Sequence, residues 1–428
     1  MRLDVEVAWR SERARLVARL ARRFGDLNLG EDAVQDAFAV ATATWQRSGV
    51  PERPGAWLWT VASRRAVDIL RRTSTKEVLD LEAFAASLPE VHVDEPTVPG
   101  DPLSINDDLL GLILACAHPA ISAEGRIALT LRHVVGFHPR EIAAAFLIAE
   151  AAMEKRLVRA RAKLRASGVS LAIPPAERLQ ERLDDARTVI SLLFTEGHLA
   201  SCEGPPVRAT LCDEAIWLAR ALHDLAPHDP ENAGLLASLL FHHARADARL
   251  DEQGRLVPFD RQDRSRWNRA AIAEARAMLG ETAAFHPGPY CIAAAIAALH
   301  AACESGDVAW QRIAELYAIL RAAAPSDVVD LNFAYAVGRA RDARQGLNAL
   351  AGVAAEGRLE RYAPFHAARA DLFERAGDAA SAASSWQSAA ACDPRGRRRD
   401  AYLDRLKPDD IPVATGHLDN AEGRRARR

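Results

Sequence analysis

The sequence predicts an all-α chain made of several helical units, and three observations carry that expectation. Hydrophobic residues make up 49% and charged residues 26% of the 428 residues, an ordinary globular balance far from that of disorder. Aromatic residues are only 6%, while alanine, leucine, arginine and glutamate abound, side chains that lose little rotamer freedom in a helix. The length exceeds that of a usual single core, so more than one domain is expected.

Residues 5–73 read as helices broken near 25–30 and 48–55, where glycine, proline and serine cluster. Residues 74–104 read as an acidic flexible linker, because Pro89, Pro96, Pro99 and Pro102 stand among acids; 77–101 holds seven Asp and Glu and no Lys or Arg. A second small helical unit is expected over 105–168, a helical extension over 176–300, repeated helices over 301–408 and a tail over 409–428.

The net charge of −3 hides opposite local charges. Residues 1–73 carry 13 Lys and Arg against 9 Asp and Glu, and residues 122–168 carry 9 against 4. The order along the chain is therefore basic, acidic, basic, which admits a nucleic-acid partner that the sum alone disfavours.

Within the second unit, REIAAAF (140–146) reads as a short helix, 147–150 as a turn, and AAMEKRLVRARAKLR (151–165) as a longer helix. At about 100° per residue, Met153, Leu157, Ala160 and Leu164 share one stripe, and Lys155, Arg156, Arg159 and Lys163 share another. A cationic face on the second helix of a helix-turn-helix suits phosphates and guanine edges in the major groove. A basic helix alone equally suits a solvated surface; the preceding helix and turn favour DNA.

In the first unit, GAWLWTVASRRAVDILRRT (55–73) places Leu58, Val61, Ala62 and Ile69 on a buried stripe. It places Trp57, Arg64, Asp68 and Arg71 on a neighbouring exposed face. Rings interleaved with guanidiniums suit unpaired bases and their backbone. Taken by itself, the helix also admits tryptophans in a core with arginines in solvent.

Two blocks in order, GEDAVQDAFAVATATW (30–45) and PGAWLWTVASRRAVDILRR (54–72), resemble region two of the extracytoplasmic-function sigma factors of the sigma-70 family. The resemblance implies that Asp32, Gln35, Asp36 and Phe38 contact core RNA polymerase. It implies that the loop over 47–54, with Arg53, and the following helix, with Trp57, Arg64, Arg65, Arg71 and Arg72, melt and read the −10 element. Residues 132–165 resemble region four, which implies that Lys155, Arg156, Arg159 and Lys163 read the −35 element. The acidic linker suits a segment threaded near the RNA path. One departure stands: many members carry Asn where this chain has Arg64, and often basic residues at the positions of Thr60 and Ser63.

Toward the C-terminus, Ala370, Phe373, Gly377, Ala382, Trp386, Ala389 and Pro394 follow the tetratricopeptide spacing, with looser copies around Tyr317, Leu320 and Pro325 and around Leu350 and Val353. Tyr317, Leu350 and Trp386 lie 33 and 36 residues apart, consistent with stacked hairpins. The phrases LLFTEGH, LCDEAIWLAR, DRQDRSRW and HPGPYCIAAAIAALHA resemble the extension of one subgroup of the same family. A regulatory docking surface for a protein, such as an anti-sigma factor, is the expectation for this part.

Nothing points to catalysis, a cofactor or a metal: there is no GxGxxG, P-loop, HExxH or nucleophile elbow. His242, His243 and Asp247, and likewise Asp260, Asp263 and Arg264, read as hydrogen-bonded structural groups. Glu196 and His198 read as a helix end fixed by Gly197 rather than as an acid/base pair. Six cysteines without a CxxC pair read as free thiols, and no leader or spanning segment is seen, so a cytoplasmic protein is expected. The expectation is a non-enzymatic, DNA-binding subunit of the polymerase holoenzyme that directs transcription initiation. The alternative, a one-component helix-turn-helix activator with a repeat sensor, leaves the two N-terminal blocks unexplained.

Overall fold

The computed structural model describes residues 2–73, 102–166, 176–198, 208–282, 285–302, 308–354, 357–393 and 398–406. Eighteen α-helices make up the described fold, and apart from one isolated bridge between Leu250 and Leu256 no extended pairing occurs among the described residues. The acidic segment up to Asp101 and the tail from Lys407 lie outside them.

The first unit is three helices, α1 (Arg2–Phe24), α2 (Leu27–Ser48) and α3 (Pro54–Thr73), each packed on the other two. Gly25, at φ +70, breaks the chain between α1 and α2. Asp26 then caps α2 by accepting from the Asn28 and Leu29 amides at 2.8 and 3.3 Å. Gly30 is no break but lies inside α2, where a Cβ would stand 3.1 Å from the Val17 carbonyl oxygen. It lets the two helices touch.

The second unit starts at α4 (Pro102–Cys116), at the position where the sequence still read as linker. It continues with α5 (Ala123–Leu129), a π-helical turn (Thr130–Val135), α6 (Pro139–Ala145) and α7 (Glu150–Ala166). The extension follows: α8 (Ala176–His198), α9 (Ala209–Leu225), α10 (Pro230–His243), α11 (Arg269–Glu281) and α12 (Pro289–Ala301). Three 3₁₀ turns, Ala246–Ala248, Phe259–Arg261 and Arg264–Arg266, connect α10 to α11.

The remaining helices are α13 (Trp310–Ala323), α14 (Asp327–Ala340), α15 (Ala343–Ala354), α16 (Ala363–Arg375), α17 (Ala379–Cys392) and α18 (Arg398–Leu403). Each packs on the helix before it, so the chain advances by neighbour stacking. Tyr317, Leu350 and Trp386 fall in α13, α15 and α17, alternate helices of that stack. Ala370, Ala382 and Ala389 are buried, and Gly377 turns the chain at φ +80.

One continuous apolar core runs from Ala8 in α1 through Leu112, Leu131 and Met153 to Leu240 and Ala301. Full burial of each such leucine contributes on the order of 1.5–3 kcal/mol. The two N-terminal units and the first half of the extension are thus not independent beads. Smaller cores hold the later helices, centred on Ile313, on Leu350 with Phe365, and on Trp386. Cys116, Cys212 and Cys291 are buried free thiols and Cys392 a half-buried one; Cys202 and Cys303 lie outside the described residues.

Candidate nucleic-acid interface

On α2, Asp32, Gln35 and Asp36 are exposed and stand on one face. Partial desolvation against the helix surface pushes the Asp32 carboxyl above its ordinary range, and neighbouring Glu31, Asp36 and Asp26 add to the effect. Phe38 is different. It is buried, its ring edge-on to Trp9 at 4.8 Å, so it supports the acidic face from beneath and offers no surface of its own.

On α3 the structure corrects the sequence reading of Trp57. The indole is 5% exposed and packs edge-on against Trp45 at 5.4 Å. The cause is two-sided packing: α3 lies against both α1 and α2, so its buried face spans Trp57, Leu58, Thr60, Ala62, Ser63, Ala66 and Val67. A single-stripe wheel underestimates it. Thr60 satisfies its buried hydroxyl by donating to the Ala56 carbonyl at 3.1 Å. Arg53, Arg71 and Arg72 are exposed, and Arg64 and Arg65 are half-buried. Trp59, half-buried, carries the Arg19 guanidinium over its ring at 4.0 Å.

The second unit builds a helix-turn-helix. Pro139 opens α6, and the Glu141 carboxylate accepts from the His138 amide at 2.6 Å, holding the first turn. The turn pivots on Leu147, the one non-glycine residue with positive φ (+53°) among the described residues. Met153, Leu157 and Ala160 of α7 are buried; Lys155, Arg159 and Lys163 are exposed, and half-buried Arg156 stacks on Phe146 at 5.5 Å. Val158, 69% exposed, stands between Lys155 and Arg159, an apolar spot suited to a thymine methyl group.

A polar chain joins the two units. The Arg13 guanidinium donates to Glu31 at 3.0 Å, the other Glu31 oxygen lies 2.6 Å from Nδ1 of buried His133, and Arg161 of α7 lies 3.0 Å from His133 Nε2. Arginine only donates, so Nε2 accepts and the ring proton sits on Nδ1, facing Glu31. The neutral imidazole suits both neighbours. Burial pushes the His133 ring down, against the pull of Glu31, and Arg161 and Arg132 push it further. Burial would raise the Glu31 carboxyl, but His133, Arg13 and Arg161 hold it below its ordinary range.

Among the described residues no cluster of His, Cys, Asp and Glu could hold a metal. His243 pairs with Asp213 at 3.4 Å, and Asp263 accepts from the Ser265 amide at 2.9 Å. Gly197 does not end its helix, since α8 runs on through His198; a Cβ there would stand 2.8 Å from the Cys212 amide nitrogen. It is a crossing point between α8 and α9. No helix among the described residues is long and apolar enough to cross a membrane.

Comparison with known families matches residues 10–75 to sigma-70 region 2 and residues 112–164 to sigma-70 region 4. The chain belongs to the extracytoplasmic-function sigma factors of the sigma-70 family. Residues 182–283 match a family of unknown function, DUF6596, so this sigma factor's extension carries that module. A similar protein is an uncharacterized one from Rhizobium meliloti (strain 1021), 40% identical over 389 residues, covering 90% of this chain and 91% of the relative. A second is a probable ECF RNA polymerase sigma factor, SigI, of Mycobacterium tuberculosis (strain CDC 1551 / Oshkosh). It is 27% identical over 173 residues, 40% of this chain and 58% of the relative. The family's members are non-catalytic initiation subunits, and their domains imply core RNA polymerase and promoter DNA as partners.

The extension grips region four through four contacts. Arg126 of α5 forks onto Asp185 of α8 at 2.5 and 3.3 Å, and buried Arg182 donates to the Leu114 and Ala115 carbonyls at 2.9 and 3.3 Å. Arg208 bridges Glu141 of α6, at 2.9 Å, and Glu196 of α8, at 3.5 Å. The Leu147 side chain, in the turn before the recognition helix, packs against the core of Leu331, Leu350 and Phe365. None of the contacts to region four was visible from sequence spacing, because their partners are 59 or more residues apart.

Two measurements check the site. Trp57→Ala is expected to lose about 3–5 kcal/mol of stability in urea, as for a core aromatic, whereas a surface ring would cost under about 1 kcal/mol. His133 titrates below its ordinary 6.5 in the folded chain, so its contribution is present above that pH and lost as pH falls through it. Wild-type protein is therefore expected to lose more stability between about pH 7.5 and pH 5.5 than His133→Asn does, read as urea midpoints at both pH values.

Proposed function

We propose that this chain docks on core RNA polymerase through Asp32, Gln35 and Asp36. Arg53, Arg64, Arg65, Arg71 and Arg72 engage the −10 element, and α7 enters the major groove at the −35 element. The observation that carries the reading is the outward row Lys155, Arg159 and Lys163 on a helix whose opposite side is locked in the core. Trp57 and Phe38 act from within, by holding these faces in place.

The helix pairs from α12 to α17 are taken as tetratricopeptide-like hairpins. In the proposed role the extension regulates by intramolecular contact. Asp185, Arg182 and Arg208 hold region four, and the later helices press on Leu147 beside the start of α7. A helix so braced presents its DNA face only in the orientation the extension allows.

Run-off transcription with purified core polymerase and the chain's own upstream DNA tests the reading. Transcripts are expected from the full-length chain, and their absence with an active core and template would sink it; a truncation after Ser170 is expected to behave differently from the full chain. Replacing Lys155 and Arg159 by Ala should weaken −35 binding and reduce the salt slope by about 2 units, given ~0.9 per phosphate contact. Leu147→Asn keeps a residue tolerant of positive φ while deleting the apolar contact. It should change −35 affinity in the full-length chain and leave a fragment ending at Ser170 unaffected; equal effects in both would place Leu147 outside regulation.

A further inference from the structure

Where α8, α10 and α12 end together, the extension gathers cationic and aromatic side chains. We propose that this end, formed by Arg245, Arg249, His242 and His300 beside Phe259 and Trp310, binds a phosphate-bearing anion.

Arg245, in the turn after α10, lays its guanidinium over Phe259 at 5.0 Å and approaches Nδ1 of His242 at 3.3 Å. Among the described residues no carboxylate pairs with it. Burial alone drags it down to about 10. Arg249, four residues on and 7% exposed, donates to the His198 carbonyl; burial brings it to about 10 as well, with Arg245 repelling it. The contrast is Arg187, 3% exposed, which Asp184, Asp229 and Asn232 meet at 2.6, 2.9 and 2.8 Å. That is how this fold settles a structural guanidinium.

The surroundings repeat the pattern. Burial, then the charge of Arg245, pushes His242 down to about 3 and His300 to about 4. His300 sits edge-on between Phe259 at 5.3 Å and Trp310 at 5.4 Å, and its Nδ1 is buried without a hydrogen-bond partner. Two carboxylates of the surrounding helices are engaged elsewhere: Asp371 accepts from Tyr335 and Arg375 at 3.0 and 2.7 Å, and Asp213 meets His243. Arg245, His242, His300 and Phe259 are only half-buried, so an ion in solvent can reach them.

A desolvated charge without a counter-ion is costly, and no ion pair with a carboxylate is described for either of these two. Two guanidinium forks match the charge and oxygen spacing of a phosphate dianion better than those of one carboxylate. Neutral imidazoles add single N–H donors, and the flat rings leave room beside the anion for an attached base or sugar.

The test uses the full-length chain in phosphate-free buffer, titrated with inorganic phosphate, pyrophosphate, or citrate at matched ionic strength, and read by calorimetry and tryptophan emission. Pyrophosphate and phosphate should bind saturably and change the emission, citrate at least tenfold more weakly. Arg245→Gln should lose at least tenfold in pyrophosphate affinity while its melting temperature without ligand stays level or rises, since an uncompensated charge is removed. If that variant does not fold, Arg245→Lys, which keeps the charge and lacks the fork, should show the loss instead. No saturable binding of pyrophosphate, equal binding of citrate, or unchanged affinity in the folded variant overturns the proposal. The test reads no transcript, so its outcome is separate from that of the polymerase reading.

Discussion

The contact between Glu31 and His133 is the polar tie between two units that also share one apolar core. Glu31 stands on α2 beside the acidic face of region two, and His133 lies in the π-helical turn of region four. Arg13 on one side and Arg161 on the other extend the link from α1 to the recognition helix. Around it the apolar core is continuous, so the polar chain sets the register of two faces that burial alone would hold only loosely. Because Arg161 is turned inward, the opposite side of α7 keeps Lys155, Arg159 and Lys163 for solvent. The inward contact thus decides which cations remain outward.

Arginine serves a second purpose in the extension. Arg126 on Asp185, Arg182 on two helix-end carbonyls and Arg208 across two glutamates each fasten one helix to another with directed bonds. Such forks fix orientation where alanine-rich faces, with little side-chain relief, would let helices slide. Half-buried Arg245 and buried Arg249 depart from that habit, with no carboxylate pairing with either among the described residues.

Local features were legible in the sequence: the all-α class, the turn before α7 and its buried stripe of Met153, Leu157 and Ala160. Trp57 was placed on the exposed face because a helix wheel assumes one buried side, whereas α3 packs on both α1 and α2; Phe38, a contact candidate by resemblance, is buried against Trp9. Gly30 and Gly197 read as breaks but mark helix crossings, a distinction that depends on the neighbouring helix and not on adjacent residues. The closure through His133, 102 positions after Glu31, carries no local signature, since a single histidine between Arg132 and Val134 looks like any other histidine of a helix. Nor do Arg245 and His300, on separate helix ends, announce a common site.

The central claim is that regions two and four of the free chain are held as one body through Glu31 and His133. A double-mutant cycle with Glu31→Gln and His133→Gln in the full-length protein, unfolded in urea at neutral pH, measures it directly. A coupling of about 1–3 kcal/mol is expected for groups sharing one buried network; additivity within about 0.3 kcal/mol would contradict the account.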